Sequence, residues 1–263
     1  MNTSSPIGIF DSGVGGSSIW KAIHQLLPNE NTIYLADSKN APYGNKTQDE
    51  IIALSIKNTE LLLRMKCKVI VVACNTATTN AIHILRNNYD IPIIGIEPAI
   101  KPAALNTKTK SVGILATKGT LSSTLFHATT KQFAKDITIT EVIGEGLVPL
   151  IEAGKLDSPE MIKLLQMYLA PMLSKNIDHL VLGCSHYPYL ISQLKELLPS
   201  EVMIIDSGAA VAKQTKAILA KNKLLNNTSN KVNLDFYINN SKSTLELLLK
   251  DYISKIKVSE KDF

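Results

Sequence analysis

The sequence predicts an α/β fold of two similar lobes, each a mostly parallel sheet flanked by helices, with a site in the cleft between them. Three observations predict it. Apolar, β-branched-rich runs alternate with helical patterns along nearly the whole chain, as in βα units whose parallel sheets are covered by helices. The opening Ile7-Gly-Ile-Phe-Asp-Ser-Gly13 is echoed by Val112-Gly-Ile-Leu-Ala-Thr-Lys-Gly-Thr120. Two cysteines end apolar runs at matching distances, 66 residues from Gly8 to Cys74 and 71 from Gly113 to Cys184. Similar spacing between similar landmarks points to an internal duplication, with a period too long for a solenoid.

The strand-like runs, in order, are 7–10, 32–35, 69–73, 92–96, 112–115, 137–143, 179–183, 202–205 and 232–237. Each is short, apolar and stopped by polar residues, glycine or proline, which reads as a buried strand. Between them, Ile19, Ile23, Leu26 and Leu27 share one helical face before Pro28 stops the pattern. Residues 48–65, 76–86, 159–173 and 209–225 read as helices in the same way. Residues 97–102 are a crossing point between lobes, and Asp206-Ser-Gly208 a return. The first lobe is then 1–97 plus 207–263, and the second 98–206. The polar stretch 221–231 reads as a surface turn.

Composition narrows the function classes. The chain has 263 residues, 45% apolar and 19% charged, enough for one large domain or two smaller ones. Its net charge of +5 comes from scattered residues and modestly favours anionic ligands. No Lys/Arg block or basic helix face occurs and aromatics are 5%, which argues against nucleic acid. No apolar stretch approaches 18 residues, so no membrane span is expected. Met1-Asn-Thr-Ser-Ser5 lacks the basic start of a signal peptide, and Ile7 to Phe10 is too short for its apolar core. Three cysteines without close pairing do not make a disulfide framework, so a cytoplasmic location is expected.

The candidate chemistry lies just past the strand ends, where open α/β sheets place their sites. Asp11-Ser12-Gly-Val-Gly-Gly16 is a glycine-rich turn able to point N–H groups at an anion. It fits neither the dinucleotide nor the P-loop spacing, and a plain strand–helix turn is the bland reading. Asp11 is placed to hold an amine or a thiol proton. Pro42-Tyr43-Gly44 is a turn whose tyrosine can donate to a ligand carboxylate, although turn chemistry alone explains it.

Cys74-Asn75-Thr76 sets a thiol beside an amide and a hydroxyl at a helix mouth, which is expected to lower the thiol pKa. Cys184-Ser185-His186 repeats the arrangement and adds an imidazole. One buried structural cysteine is unremarkable, but two matching copies are harder to explain without function. Glu152, after a helical pattern, can orient His186 as triad carboxylates do, or lie on the surface. Cys67 lies between Lys66 and Lys68 with no polar cluster and gets no role. Zinc spacings are absent, and no lysine stands out at a strand end for a pyridoxal cofactor, so no metal and no cofactor are expected.

Taken together, these motifs resemble the glutamate racemases of the aspartate/glutamate racemase superfamily. The residues that carry the resemblance are Gly8-Ile-Phe-Asp11-Ser12-Gly-Val-Gly-Gly, Ala36-Asp37-Ser-Lys-Asn-Ala-Pro42-Tyr43-Gly44, Ala73-Cys74-Asn75-Thr76-Ala, Gly95-Ile-Glu97-Pro98, Ala116-Thr117-x-x-Thr120 and Gly183-Cys184-Ser185-His186-Tyr187-Pro188. They span nearly the whole chain in the family's order. The resemblance implies a cofactor-independent racemase interconverting L- and D-glutamate, supplying D-glutamate for peptidoglycan, hence cell-wall biogenesis and cell shape. It implies Cys74 and Cys184 as the two acid/base groups, Asp11 assisting the first, Glu152 and His186 the second. Ser12, Pro42, Tyr43, Gly44, Asn75, Thr76, Thr117, Thr120 and Ser185, with Asp11 and His186, would hold the amino acid. Position 185 departs from the family's usual threonine but keeps the hydroxyl.

Two thiols on opposite lobes solve the geometry of inversion, one removing a proton from Cα and the other delivering one to the opposite face. By resemblance, Cys74 serves the D-enantiomer and Cys184 the L-enantiomer. Three alternatives stay open: a racemase of a related acidic amino acid such as aspartate, a Cys184/His186 thiol hydrolase, and a hinged binding protein for anionic metabolites. Assembly into a homodimer also stays open.

Overall fold

The computed structural model describes residues 2–134, 136–228 and 231–263, so residues 229 and 230 of the expected 221–231 turn lie outside the described residues. Along the chain, β1 (Ile7–Asp11) leads to α1 (Ser17–Leu26), β2 (Thr32–Ala36), α2 (Gln48–Arg64), β3 (Val69–Val72), α3 (Asn75–Asn88) and β4 (Ile93–Gly95). Next come α4 (Ile100–Asn106), β5 (Ser111–Ala116), α5 (Lys118–Leu121), α6 (Thr124–Phe133), β6 (Thr138–Ile143), α7 (Leu147–Glu152) and α8 (Pro159–Leu173). After these follow β7 (His179–Gly183), α9 (Ile191–Leu197), β8 (Met203–Ile205), α10 (Gly208–Lys221), β9 (Leu234–Ile238), α11 (Ser243–Leu248) and β10 (Lys257–Glu260).

The strands form two sheets, ordered β10-β9-β2-β1-β3-β4 and β6-β5-β7-β8, and every ladder is parallel. Both contain the same four-strand order, second-first-third-fourth. The connection leaves the first strand to one side and returns to the other, so each sheet has a switch point between its first and third strands, where parallel sheets bind ligands. Register brings the motifs to these points. Asp11 pairs with Ala36 and Phe10 with Val72, which sets Ser12 beside Cys74. Ala116 pairs with Gly183, which sets Thr117 beside Cys184.

Apolar residues on both faces of the central strands explain why helices cover both sides. Ile7, Ile9, Tyr34, Val69 and Val71 pack beneath Trp20 and Ile23 of α1 and Val211 of α10. Phe10, Leu35, Ile70 and Val72 face Leu62 of α2 and Ala77, Ala81 and Leu85 of α3. The first core does not stop at its sheet: it continues through Leu147 and Ile151 of α7 to Met161, Leu165, Leu180 and Leu182. A third core places Val112, Ile114 and Val181 against Ile100, Ala103 and Phe126.

The chain crosses between sheets twice, after β4 and after β8, and the crossings touch where the Ser207 hydroxyl donates to the Glu97 carbonyl at 2.5 Å. At the opposite edge of the first sheet, buried Lys68 pairs with buried Glu30 and donates to the Thr3 and Leu224 carbonyls.

All nine expected strands are present. β10 was not expected, because Lys257-Val-Ser-Glu is a polar edge strand, paired among the described residues with β9 alone, and carries no apolar run. α10 ends at Lys221, short of the expected 225, and Lys223 turns the chain through left-handed backbone at φ 56°. Among the described residues no helix is long and apolar enough to cross a membrane.

Candidate active site

The site lies where the carboxyl edges of the two sheets face one another. Cys74 is the N-cap of α3: its sulfur accepts from the Ala77 N–H at 3.4 Å and lies 3.5 Å from the Ser12 hydroxyl oxygen. A helix mouth lowers a thiol pKa, but here the net shift is upward. Burial raises it most and the Asp11 charge adds to that, while the Ala77 N–H and Ser12 hydroxyl offset only part. The neutral thiol is therefore the favoured form of Cys74, contrary to the expectation from sequence.

Asp11 is fully buried behind Ser12. One carboxylate oxygen accepts from the Gly16 N–H at 2.8 Å and the Gly13 N–H at 3.3 Å, and the other accepts the Ser185 hydroxyl at 3.1 Å. Its pKa is raised by burial, against the opposing pull of His186 and the Gly16 N–H.

Cys184 reaches the same cavity from β7. Its sulfur is 3.8 Å from His186 Nδ1, and His186 Nε2 is 2.6 Å from Glu152 Oε1. Burial works against charging this imidazole, yet its pKa lies well above the ordinary histidine value, because hydrogen bonds and charge from Cys184 and Glu152 outweigh burial. An imidazolium thus stands between the thiol and the carboxylate.

Glu152 is not a free surface carboxylate. It accepts the Val14 N–H at 2.7 Å and the Ser38 hydroxyl at 2.8 Å, both from loops of the first sheet. The glycine-rich turn therefore does receive anions, but they are the protein's own, Asp11 and Glu152. A Cβ at Gly13 would land on Glu152 Oε1, and one at Gly15 on His186 Nδ1. These two glycines admit the carboxylate and imidazole of the second sheet.

Of the residues expected to hold a substrate, Ser12, Pro42, Tyr43, Gly44, Asn75, Thr76, Thr117, Ser185 and His186 line one cavity with the two thiols, joined by Val148. Asp11 and Thr120 stand behind it. Thr76, Thr117 and Thr120 form a hydroxyl cluster at 2.8 to 3.3 Å that bridges the sheets. Asn75 is buried, and neither its amide oxygen nor its nitrogen finds a partner among the described residues. A buried amide so placed suits the charged ends of an amino acid. The first N–H groups of α3 have no intrahelical partner and favour an anion at the same point.

Tyr43 lines the cavity, but its hydroxyl is committed elsewhere. It donates to Asp37 at 2.6 Å and accepts from Asn58 at 3.1 Å, so the proton that the turn offers to a ligand carboxylate goes to Asp37 in this structure. The cavity measures about 10 Å³, room for about one water molecule. Hollows of about 350 and 300 Å³ flank it beyond Pro42 and Val148. Among the described residues no three His, Cys, Asp or Glu side chains are arranged to hold a metal.

Three contributors were not singled out from sequence. Val148 belongs to the apolar pattern of α7 and carries no polar signal. Asp37 and Ser38 lie inside a quoted motif, and only their contacts show what they do.

The chain matches a family model described as Asp/Glu/Hydantoin racemase over residues 7–215. It is 48% identical over 227 residues to a glutamate racemase of Ectopseudomonas mendocina (strain ymp), covering 86% of each chain. Its fold superposes on the glutamate racemase isoform RacE1 from Bacillus anthracis with a TM-score of 0.87 at 29% identity, over 100% of this chain and 99% of that one. It also superposes on the Escherichia coli glutamate racemase in complex with L-glutamate and the activator UDP-MurNAc-ala, with a TM-score of 0.84 at 33% identity over 98% of both chains.

Proposed function

The chain belongs to the Asp/Glu/Hydantoin racemase family, and from that premise we propose that it interconverts L- and D-glutamate without a cofactor, by proton exchange at Cα between Cys74 and Cys184. One observation carries the mechanism: two thiols delivered by different sheets line one buried cavity beside an unpartnered amide. A single base returns a proton to the face it left, whereas thiols on opposing sheets reach opposite faces of one carbon.

The two sides are charged differently. Cys74 is held as a thiol by burial and by Asp11. On the other side the His186 imidazolium, its charge supported by Glu152, lies against the Cys184 sulfur. By family resemblance Cys184 takes the proton of the L-form and Cys74 protonates the opposite face. The Cα–H is a very weak acid, so the developing charge needs fixed donors. The N–H groups at the mouth of α3 and the threonine cluster supply them in a cavity that excludes bulk water.

A cavity of about 10 Å³ does not admit glutamate, so the sheets separate to bind and close to react. The natural bodies of that motion are residues 1–97 with 207–263 against 98–206, turning about the Ser207–Glu97 contact. The product suits peptidoglycan synthesis in the cytoplasm.

Circular dichroism of L-glutamate, and separately L-aspartate, with purified protein and no added cofactor is expected to show glutamate racemising and aspartate unchanged. Cys74→Ala and Cys184→Ala are each expected to lose about a thousandfold or more of the activity, and wild-type turnover in D2O to place deuterium at Cα. Racemisation at the wild-type rate by either variant would falsify the two-thiol mechanism. An acyl-enzyme trapped on Cys184 would instead identify a thiol hydrolase.

A further inference from the structure

We propose that Ser38 is a positioning residue for the reaction: with the backbone N–H of Val14, it clamps the Glu152 carboxylate across the junction between the sheets and so fixes His186 against Cys184. The inference deepens the racemase reading and rests on it for the identity of the reaction.

The geometry forms a chain of contacts. Cys184 Sγ meets His186 Nδ1 at 3.8 Å, and His186 Nε2 meets Glu152 Oε1 at 2.6 Å. The same Oε1 accepts the Val14 N–H at 2.7 Å, and Oε2 accepts the Ser38 hydroxyl at 2.8 Å. Glu152 and His186 follow strands of the second sheet, whereas Val14 and Ser38 follow β1 and β2 of the first. A carboxylate held by one proton donor can swing about its stem. One gripped at both oxygens, from three directions, cannot.

The loop that supplies Val14 is shaped for this grip. Gly13 and Gly15 have no side chain where Glu152 and His186 arrive, and Tyr34 fixes the loop by donating to the Gly13 carbonyl at 2.8 Å. Besides Glu152, the charged or titratable groups facing His186 are Cys184 and Asp11. Ser38 touches only Glu152 among these and does not line the reaction cavity. Its effect on chemistry therefore passes through Glu152.

Wild type, Ser38→Ala, Ser38→Thr and Gly13→Ala are compared by glutamate racemisation and by NMR titration of the His186 imidazole, with a thermal melt to confirm folding. Ser38→Ala is expected to lower kcat/KM about tenfold, the scale of one lost hydrogen bond to a charge. It should also bring the His186 titration down by about half a pH unit or more, because a carboxylate released at Oε2 can swing away and holds the imidazolium less tightly. Ser38→Thr keeps the hydroxyl and should restore both. Gly13→Ala, which pushes Glu152 off its seat, is expected to cost about a hundredfold.

Unchanged kcat/KM and an unchanged imidazole titration in Ser38→Ala overturn the proposal. If Gly13→Ala fails to fold, the serine pair still decides it. If wild type does not racemise glutamate, the functional reading fails by itself, and the imidazole titration, which needs no substrate, still tests the clamp.

Discussion

Burial favours the neutral form of a carboxyl or thiol and the neutral form of an imidazole. Asp11 follows that rule and His186 defies it, with opposite consequences for function and related ones for stability. The pKa of Asp11 is raised above 3.8 in the fold. Its contribution to stability is therefore full below about pH 3.8 and is lost as pH rises through the folded value. At pH 7, above its ordinary value, the buried Asp11 carboxyl weakens the fold relative to acid conditions. Asp11→Asn should raise Tm by a few degrees at pH 7, with the gain vanishing near pH 4, while kcat/KM falls tenfold or more. His186, also raised, stabilises the fold fully below about pH 6.5 and loses that contribution as pH climbs through its folded value. His186→Asn should therefore lag wild type most at pH 6 and least at alkaline pH. Melting curves across that range settle both, and a Tm gap that widens with pH for His186→Asn would contradict the charged imidazole.

Two helices draw their ends from residues that line the cavity. Cys74 caps α3 and Thr117 caps α5, so replacing either by alanine removes a cap as well as a cavity-lining side chain. A cap with no such double duty isolates the structural part. Thr47 begins α2 with a complete capping box, its hydroxyl accepting the Glu50 N–H while Glu50 accepts the Thr47 N–H at 2.8 Å. Thr47→Ala should cost about 1 kcal/mol of stability and leave kcat/KM unchanged, as read by urea denaturation beside the racemisation assay. A loss of activity with no loss of stability would instead show that the start of α2 reaches the site through Lys57 and Asn58, which both donate to Asp37.

Two features underpin the fold at the scale of the whole molecule: an apolar core that reaches Val148 and Cys184 at the cavity, and a buried ion pair at the amino end of the first sheet. A single apolar core runs through both sheets, which predisposes the chain to one cooperative transition. The buried Lys68–Glu30 pair ties β3 to the start of the chain and to the return after α10, where Glu30 also accepts the Asn226 N–H at 2.9 Å. Removing one partner strands a buried charge, so Glu30→Ala should cost about 3–5 kcal/mol, and the Lys68→Met/Glu30→Leu double variant should recover much of it. Denaturant melts of the three proteins test this, and a single variant as stable as wild type would remove the clasp from the account.

What the sequence determined by itself is the set of strands, the repeat and the residues that meet at the cavity, because short buried strands and strand-end polar clusters are local signals. Cys74, Cys184, Asp11 and His186 were legible for that reason, as were the residues between Ser12 and Thr120 that face or back the cavity. Only the tertiary structure decided the electrostatics and the partners. The fall in thiol pKa expected from a helix mouth was reversed for Cys74, since burial and Asp11 act through space. The Tyr43 hydroxyl went to Asp37, and Glu152 left the surface for Val14 and Ser38, both more than a hundred residues away along the chain. The polar strand β10 and the contribution of Val148 were likewise set by neighbours distant in sequence. The glycine-rich turn shows the division most plainly. Its composition announces close approach by something, and only the fold reveals that the visitors are the protein's own carboxylate and imidazole, because contacts between sheets leave no periodicity in either segment.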